Sequence, residues 1–271
     1  MIEDLFFLER QAYRDSILHH LDARVKILVT FAVIIAIVAV PYSSVVFGAA
    51  GILFLFFLAL WAVSRISPVV YLKRLLAIAP LWGVIILFQI FIRNRYYTEY
   101  HAIALLPLGV SIYAESVQFA CILAAKFLVS LSFIILLSVT TKPQDLLQGA
   151  GRLGLPAEFA LALGMMIRYL FVFGYIYRKV NEALSTRCFS PLDAALPYRY
   201  RIRQLGYAIG TLFLRSYEQG ERVYTSMCCR GYGRHSHLVF EKKPLTNVEW
   251  GFLSLSLSVA AGAAICAFLM S

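Results

Sequence analysis

The chain has 271 residues, 61% of them hydrophobic and only 15% charged, with a formal net charge of +10. Soluble domains carry roughly 25% charged residues, so this composition excludes an ordinary soluble globular fold and indicates an all-α polytopic membrane protein. So basic a soluble chain would suggest a nucleic-acid partner; here the charge is placed as a topology signal, and no nucleic acid is expected.

The N-terminal segment is charged and amphipathic (Glu3, Asp4, Glu9, Arg10, Arg14, Asp15) and lacks the short apolar core and cleavage site of a signal peptide. Residues 1–24 read as a short surface helix leading into His20-Leu-Asp22-Ala-Arg24-Val-Lys26. Asp22 and Arg24 stand just before the first apolar run, either as interfacial anchors or in a functional role. Apolar segments at 25–47 and 44–64 are broken at Pro41-Tyr-Ser-Ser44, and Arg65, Lys73 and Arg74 follow them. A third run, Leu76–Ile92, ends at Arg93-Asn-Arg95 and the polar aromatic stretch Tyr96–His101. A fourth runs from about Val117 to Val139 and holds one charge, Lys126; a last run is Trp250–Met270. A span needs roughly 20 apolar residues, which gives five spans. Lys126 is an expensive residue at membrane depth. It is a functional candidate, a residue snorkelling to an interface, or the partner of Glu115 on its own helix.

Between the fourth and last runs, Thr141–Asn247 holds fifteen of the 25 Lys and Arg residues against seven acids, or +8 of the total +10. Basic segments stay in the cytoplasm. Ala157–Tyr177 is nearly unbroken apolar sequence, interrupted by Arg168, and is long enough to cross, but crossing would place twelve basic residues outside. It is therefore read as a helix in or under the interface, with Arg168 buried and paired. From about Arg203 to Cys229, the stripe of Leu205, Ile209, Leu212, Phe213, Gly220, Val223, Tyr224 and Met227 is expected to pack on the 157–187 helix.

Both of these helices end on an arginine. The second stops at Cys229-Arg230-Gly231, where the glycine suits the left-handed residue just past a helix C-terminus. The first stops more weakly at Thr186-Arg187-Cys188. A cation also suits the negative end of the macrodipole, so these arginines are either docking fingers or plain helix caps. The five cysteines form no disulfide framework. Cys228 and Cys229 with His235 and His237 match no standard zinc spacing, and no metal site is expected. A phosphate loop, a His-Glu-x-x-His motif and a Gly-x-Ser-x-Gly elbow are all missing from the sequence.

Several of these segments together resemble the transmembrane (T) component of energy-coupling factor (ECF) transporters, most closely the cobalt/nickel type, the CbiQ family. Leu21-Asp22-Ala-Arg24-Val-Lys26 is similar to that family's Leu-Asp-Pro-Arg-x-Lys, with Ala23 in place of proline. Thr140-Thr-Lys-Pro143 with Leu153-Gly-Leu-Pro156 resembles its Thr-Thr-x-Pro and Leu-Gly-x-Pro pieces, and Arg168-Tyr169 its Arg-Tyr pair. Cys229-Arg230-Gly231 and Thr186-Arg187-Cys188 stand where the family has two Ala-Arg-Gly motifs. The resemblance implies that Arg187 and Arg230, with Thr186, Cys229 and Gly231 beside them, insert into two ABC-type ATPase subunits. It also implies a separate substrate-binding membrane subunit, ATP consumed by the partners, and no cofactor or catalysis in this chain. Asp22, Arg24, Pro143, Pro156, Arg168 and Lys126 are structural or interface candidates. The implied domains are a transmembrane part (1–140), a cytosolic coupling domain (141–247) and a C-terminal span (248–271), in a bacterial or archaeal cell membrane. A T component of a vitamin transporter, a stand-alone secondary permease and an intramembrane enzyme are the alternatives. With the N-terminus in the cytoplasm and the C-terminus outside, a cysteine introduced at position 205 or 240 is expected to react only from the cytoplasmic face; labelling from outside intact cells would overturn that topology.

Overall fold

In hydrocarbon every backbone amide and carbonyl must find its partner inside the protein, and a helix does this within one segment. The computed structural model describes residues 16–64, 66–91, 102–105, 111–190, 196–233 and 244–270. These form helices α1 (Ile17–His20), α2 (Ala23–Ala39), α3 (Val46–Ser64), α4 (Pro68–Phe91), α5 (Ala114–Thr140), α6 (Pro143–Arg152), α7 (Ala157–Ser185), α8 (Tyr198–Cys229) and α9 (Asn247–Met270). The all-α expectation holds, with one small addition. Strands β1 (Ala102–Leu105) and β2 (Ser111–Tyr113) pair antiparallel, with a bulge between Ala102 and Ala104. Their Ile103, Ile112 and Tyr113 favour extended backbone.

Five described helices are long and apolar enough to cross a membrane: α3, α4, α5, α7 and α9. The number matches expectation but the membership does not. The 17-residue α2 falls just short, because the chain already breaks at Val40, and α7 takes its place. The third run also starts earlier than hydropathy suggests. Pro68, tolerated at a first helical position where no amide partner is needed, opens α4, so Lys73 and Arg74 lie within the helix. Arg74 Nη1 donates to Ser138 Oγ at 3.0 Å.

The chain divides into two compact units, one running to Gly149 and resuming at Lys242, the other from Ala150 to Glu241. In the first, α2, α3, α5 and α9 close a core around Val33, Ile37, Leu53, Ile122, Val129 and Phe133. Phe57 anchors an aromatic cluster, with ring centroids 5.7 Å from Trp61, 5.2 Å from Tyr71 and 5.8 Å from Phe133. The last helix contributes Ser256, Ala260, Ala263 and Ala267, all buried, at helical spacing. Small residues on one stripe let a helix backbone approach its neighbours closely where apolar surface alone gives no drive to associate.

Two buried lysines hold this unit together by capping each other's helix. Lys26, in the first turn of α2, donates through Nζ to Thr140 O at 3.1 Å, the last residue of α5, and to His19 O at 3.2 Å. Lys126, in α5, donates to Val38 O at 3.2 Å and to Val40 O, at the end of α2. Its ammonium also sits 4.2 Å from the Tyr42 ring centroid. The two helices are therefore antiparallel. Each C-terminus leaves carbonyls without intrahelical partners and carries the negative end of the dipole, so a cation from the neighbour answers both needs. Two of the alternatives for Lys126 fall on this geometry. It is 5% exposed and does not snorkel. Eleven residues of helix separate it from Glu115, about 16 Å along the axis, so the two do not pair.

Replacing Lys126 with methionine keeps the bulk but orphans two carbonyls, which costs roughly 1–3 kcal/mol per buried group left unpaired. Lys126→Met is therefore expected to lower the thermal midpoint of the detergent-solubilised chain by several degrees. Unchanged thermostability with transport abolished would return Lys126 to a functional role.

Candidate functional site

The two arginine tips share one backbone solution. At the end of α7, Cys188 N–H donates to Ser185 O (3.0 Å) and Phe189 N–H to Leu184 O (3.1 Å). At the end of α8, Gly231 N–H donates to Cys228 O (3.0 Å) and Tyr232 N–H to Met227 O (2.9 Å). Cys188 at φ 56° and Gly231 at φ 86° supply the left-handed residue that this Schellman geometry requires. Arg187 and Arg230 thus occupy equivalent positions, immediately before the left-handed residue. The first motif, weak by residue type, is as regular in geometry as the second. A third copy closes α6, with Gly154 at φ 115° and Leu155 N–H bonded to Ala150 O at 3.1 Å, but Leu153 stands where the other two carry arginine.

That comparison decides what the arginines are not. The terminal carbonyls are taken up by backbone amides, and α6 closes the same way with Leu153 in the place of the tip arginine. Arg187 and Arg230 are exposed and, among the described residues, make no side-chain hydrogen bond or ion pair. Neither side chain caps its helix through a hydrogen bond. Thr186 and Cys229, the residues just before them, are exposed too, and Thr186 Oγ1 bonds back to Ala183 O at 2.9 Å.

Sequence does not bring the two tips together, and neither does the fold of this unit. The first half of α7 lies beside the second half of α8 along a groove of about 420 Å³, with Leu161, Met165 and Tyr169 facing Gly220, Val223 and Met227. At the other end Phe189, buried just past the α7 tip, meets Tyr200 near the start of α8, with ring centroids 6.2 Å apart. The helices are antiparallel, so the tips point out of opposite ends. Helices of 29 and 32 residues rise about 43 and 48 Å at 1.5 Å per residue. Two arginines so far apart cannot enter one groove.

Two expectations for this unit are corrected. Arg168 is exposed, with no ion pair among the described residues, rather than buried and paired. The stripe on α8 does not pack on α7 throughout. Gly220, Val223, Tyr224 and Met227 line the groove, while Leu205, Ile209 and Phe213 are 36%, 66% and 68% exposed. Cys228 is engaged by Tyr224 one turn earlier, and that hydrogen bond raises the Tyr224 phenol above its usual range. His235 and His237 lie outside the described residues, and no cluster of three His, Cys, Asp or Glu occurs among those described.

Asp22 and Arg24 stand at the start of α2. Asp22 caps this helix, its Oδ1 accepting from Arg24 N–H at 3.0 Å while Oδ2 pairs with Arg24 Nη2 at 3.0 Å. Glu249, 7% exposed, joins two helix beginnings with one carboxylate. Its Oε2 accepts from Thr246 N–H at 2.7 Å, and its Oε1 from Asp22 N–H at 2.8 Å. Thr246-x-x-Glu249 has the spacing of a capping box ahead of an apolar run, a signal legible in the sequence, and its glutamate half is formed. Gly149 of α6 abuts the same place, where an added Cβ would lie 3.0 Å from Ala23 Cβ and 3.2 Å from Arg24 N. Pro143 opens α6 and Pro156 precedes the first turn of α7. Asp22 and Arg24 thus sit together at the α2 cap, well apart in sequence and element from the arginine tips.

The left-handed residue gives the tips a direct test. A side chain at φ 56° costs roughly 1 kcal/mol or more relative to glycine. Cys188→Gly is expected to slow amide exchange at residues 187–189 severalfold, and Gly231→Ala to accelerate it at residues 230–232. Identical exchange in both variants would mean that the motif does not hold the arginines in place.

A family model described as cobalt transport protein, CbiQ, matches residues 14–239. The chain is also 23% identical over 262 residues to a protein of Methanocaldococcus jannaschii described as uncharacterized, an alignment covering 96% of this chain and 85% of that relative. The family match takes in α1 to α8 and both arginine tips, on a chain with five helices apolar enough to cross a membrane. The chain belongs to the CbiQ family of cobalt transport proteins, a membrane transport family, as a multi-pass membrane component.

Proposed function

We propose that this chain is the energy-coupling scaffold of an ABC-type ECF importer for cobalt, passing the motion of two ATPase subunits to a separate substrate-binding membrane subunit. The observation that carries this is the pair of equivalent tips, each holding an exposed arginine that its own helix does not use. Arginine suits docking because its planar fork bonds carboxylates and carbonyls in pairs and keeps its charge at any working pH. Tips at opposite ends of two long antiparallel helices suit two sockets on two ATPase subunits. In this reading residues 141–247 form the cytoplasmic coupling domain, flanked by membrane helices in 1–140 and 248–271 of a bacterial or archaeal cell membrane. ATP is consumed by the partners, and this chain holds no cofactor. A nickel or vitamin transporter would use the same tips. Lys126, the feature that favoured a stand-alone permease, is spent on capping α2.

Charge reversal at the tips tests the proposal. Losing one hydrogen-bonded charge from a buried interface costs roughly 2–5 kcal/mol, enough to uncouple one socket. The second helix still tethers the complex at high effective concentration. Arg187→Glu or Arg230→Glu alone is expected to leave the ATPase subunits bound while cobalt uptake falls at least tenfold. The double variant is expected to lose the ATPases on purification while the membrane bundle stays folded. Near-normal uptake by the double variant, with ATPases still attached, would end this reading.

A further inference from the structure

The first twenty residues of α8 carry an apolar stripe that the described chain leaves largely exposed. Tyr198, Ile202, Leu205, Ile209 and Phe213 recur at helical spacing and are 69%, 49%, 36%, 66% and 68% exposed. At 3.6 residues per turn they span a sector of about 80°. The charges beside them are arranged symmetrically. Arg199 and Arg203 lie about 80° and 120° to one side of the stripe's centre, and Arg201 and Arg215 about 80° and 120° to the other. From Tyr198 to Tyr217 the helix holds these four arginines and no acid; the first carboxylate is Glu218, already bonded to Arg222. Among the described residues none of the four arginines pairs with a carboxylate; Arg199, Arg203 and Arg215 are exposed, while Arg201 is half-buried beside the Tyr198 ring, at 5.9 Å, with its Nε shielded and unbonded.

We propose that this half of α8 is a lipid-binding element that lies in the membrane surface and selects anionic phospholipids. An apolar stripe with arginines rising on both flanks fits a helix lying in the plane of the bilayer, with its apolar side chains at the acyl boundary. Long cationic side chains reach sideways and outward to the phosphates from that position. Tyrosine suits the same depth, apolar in its ring and polar at its tip. Charge complementarity argues for an anionic headgroup surface. A protein partner would have to answer four arginines on two flanks while also filling the stripe between them. The second half of α8 differs as the proposal requires, since there the same stripe is taken up by the groove with α7 and acids appear. The inference does not depend on ATPase docking, because it uses neither Arg187 nor Arg230.

The test uses the full chain with its own cysteines replaced and a bimane attached through Ile209→Cys. It is reconstituted in vesicles of phosphatidylcholine with phosphatidylglycerol, one lipid or the other carrying bromine on its acyl chains. Bromine on phosphatidylglycerol is expected to quench the label at least threefold more strongly than bromine on phosphatidylcholine. Each arginine near an anionic surface is worth about fivefold in partitioning. Arg199→Gln, Arg201→Gln and Arg203→Gln together should therefore erase the preference, leaving quenching equal for the two lipids. If that variant fails to fold, the comparison with the arginines intact still decides. A label with water-like emission, or equal quenching by both lipids in the chain with its arginines, would overturn the proposal. So would a label that is shielded only after a purified protein subunit of the transporter is added.

Discussion

A helix that ends inside a membrane protein presents carbonyls that water cannot reach, and the satisfaction of those groups governs this structure. In the helical bundle the answer is a cation from a neighbour. Lys26 and Lys126 lie at opposite ends of α2 in an antiparallel pair, and each bonds the carbonyl end of the other's helix. A buried lysine without a partner would be costly, but here the ammonium replaces the solvation the carbonyls would otherwise lack. The same contacts set the register of α2 against α5, because a one-residue slide would break both caps together.

The second unit answers the same problem by a different route. Its long helices close with backbone amides alone, using a left-handed residue after the last turn. The difference has a functional meaning. A side chain spent on capping is unavailable for anything else, as Lys126 illustrates. A helix capped by its own backbone leaves the residue at its tip free, and at both tips that residue is arginine. The Schellman closure also fixes where the arginine starts from, since the backbone on either side of it is hydrogen-bonded. The α6 end, built identically but carrying Leu153, shows that the geometry does not itself require the cation.

Much of this was legible in the order of residues. Apolar runs located the long apolar helices, and Gly231 announced one tip. What escaped had a physical reason in each case. Hydropathy could not place the start of α4, because Lys73 and Arg74 look like a loop until the helix is seen to continue through them. Cys188 does not advertise a left-handed residue, since only backbone geometry reveals it. Periodicity identified the stripe on α8 but could not say how much of its length α7 would cover. The partners of Lys126 lie 86 and 88 residues away in the chain, and no local pattern connects them. Thr246 and Glu249 were the exception, a local signal sufficient for one of the two helix starts that Glu249 serves.

Glu249 has a consequence for how the protein is made. Its bond to the Asp22 amide joins residues 227 positions apart. While the ribosome is still working through the intervening sequence, α2 is already in place with the amide of its capping residue unanswered. The small-residue stripe of α9 has likewise not yet arrived against α2 and α3. Chains emerge at roughly 5–20 residues per second, so this partly built bundle persists for on the order of ten seconds or more. Insertion of α9 then closes this flank of the bundle, and until it occurs the nascent protein leaves that flank open to the insertion machinery and to the quality-control proteases of the membrane.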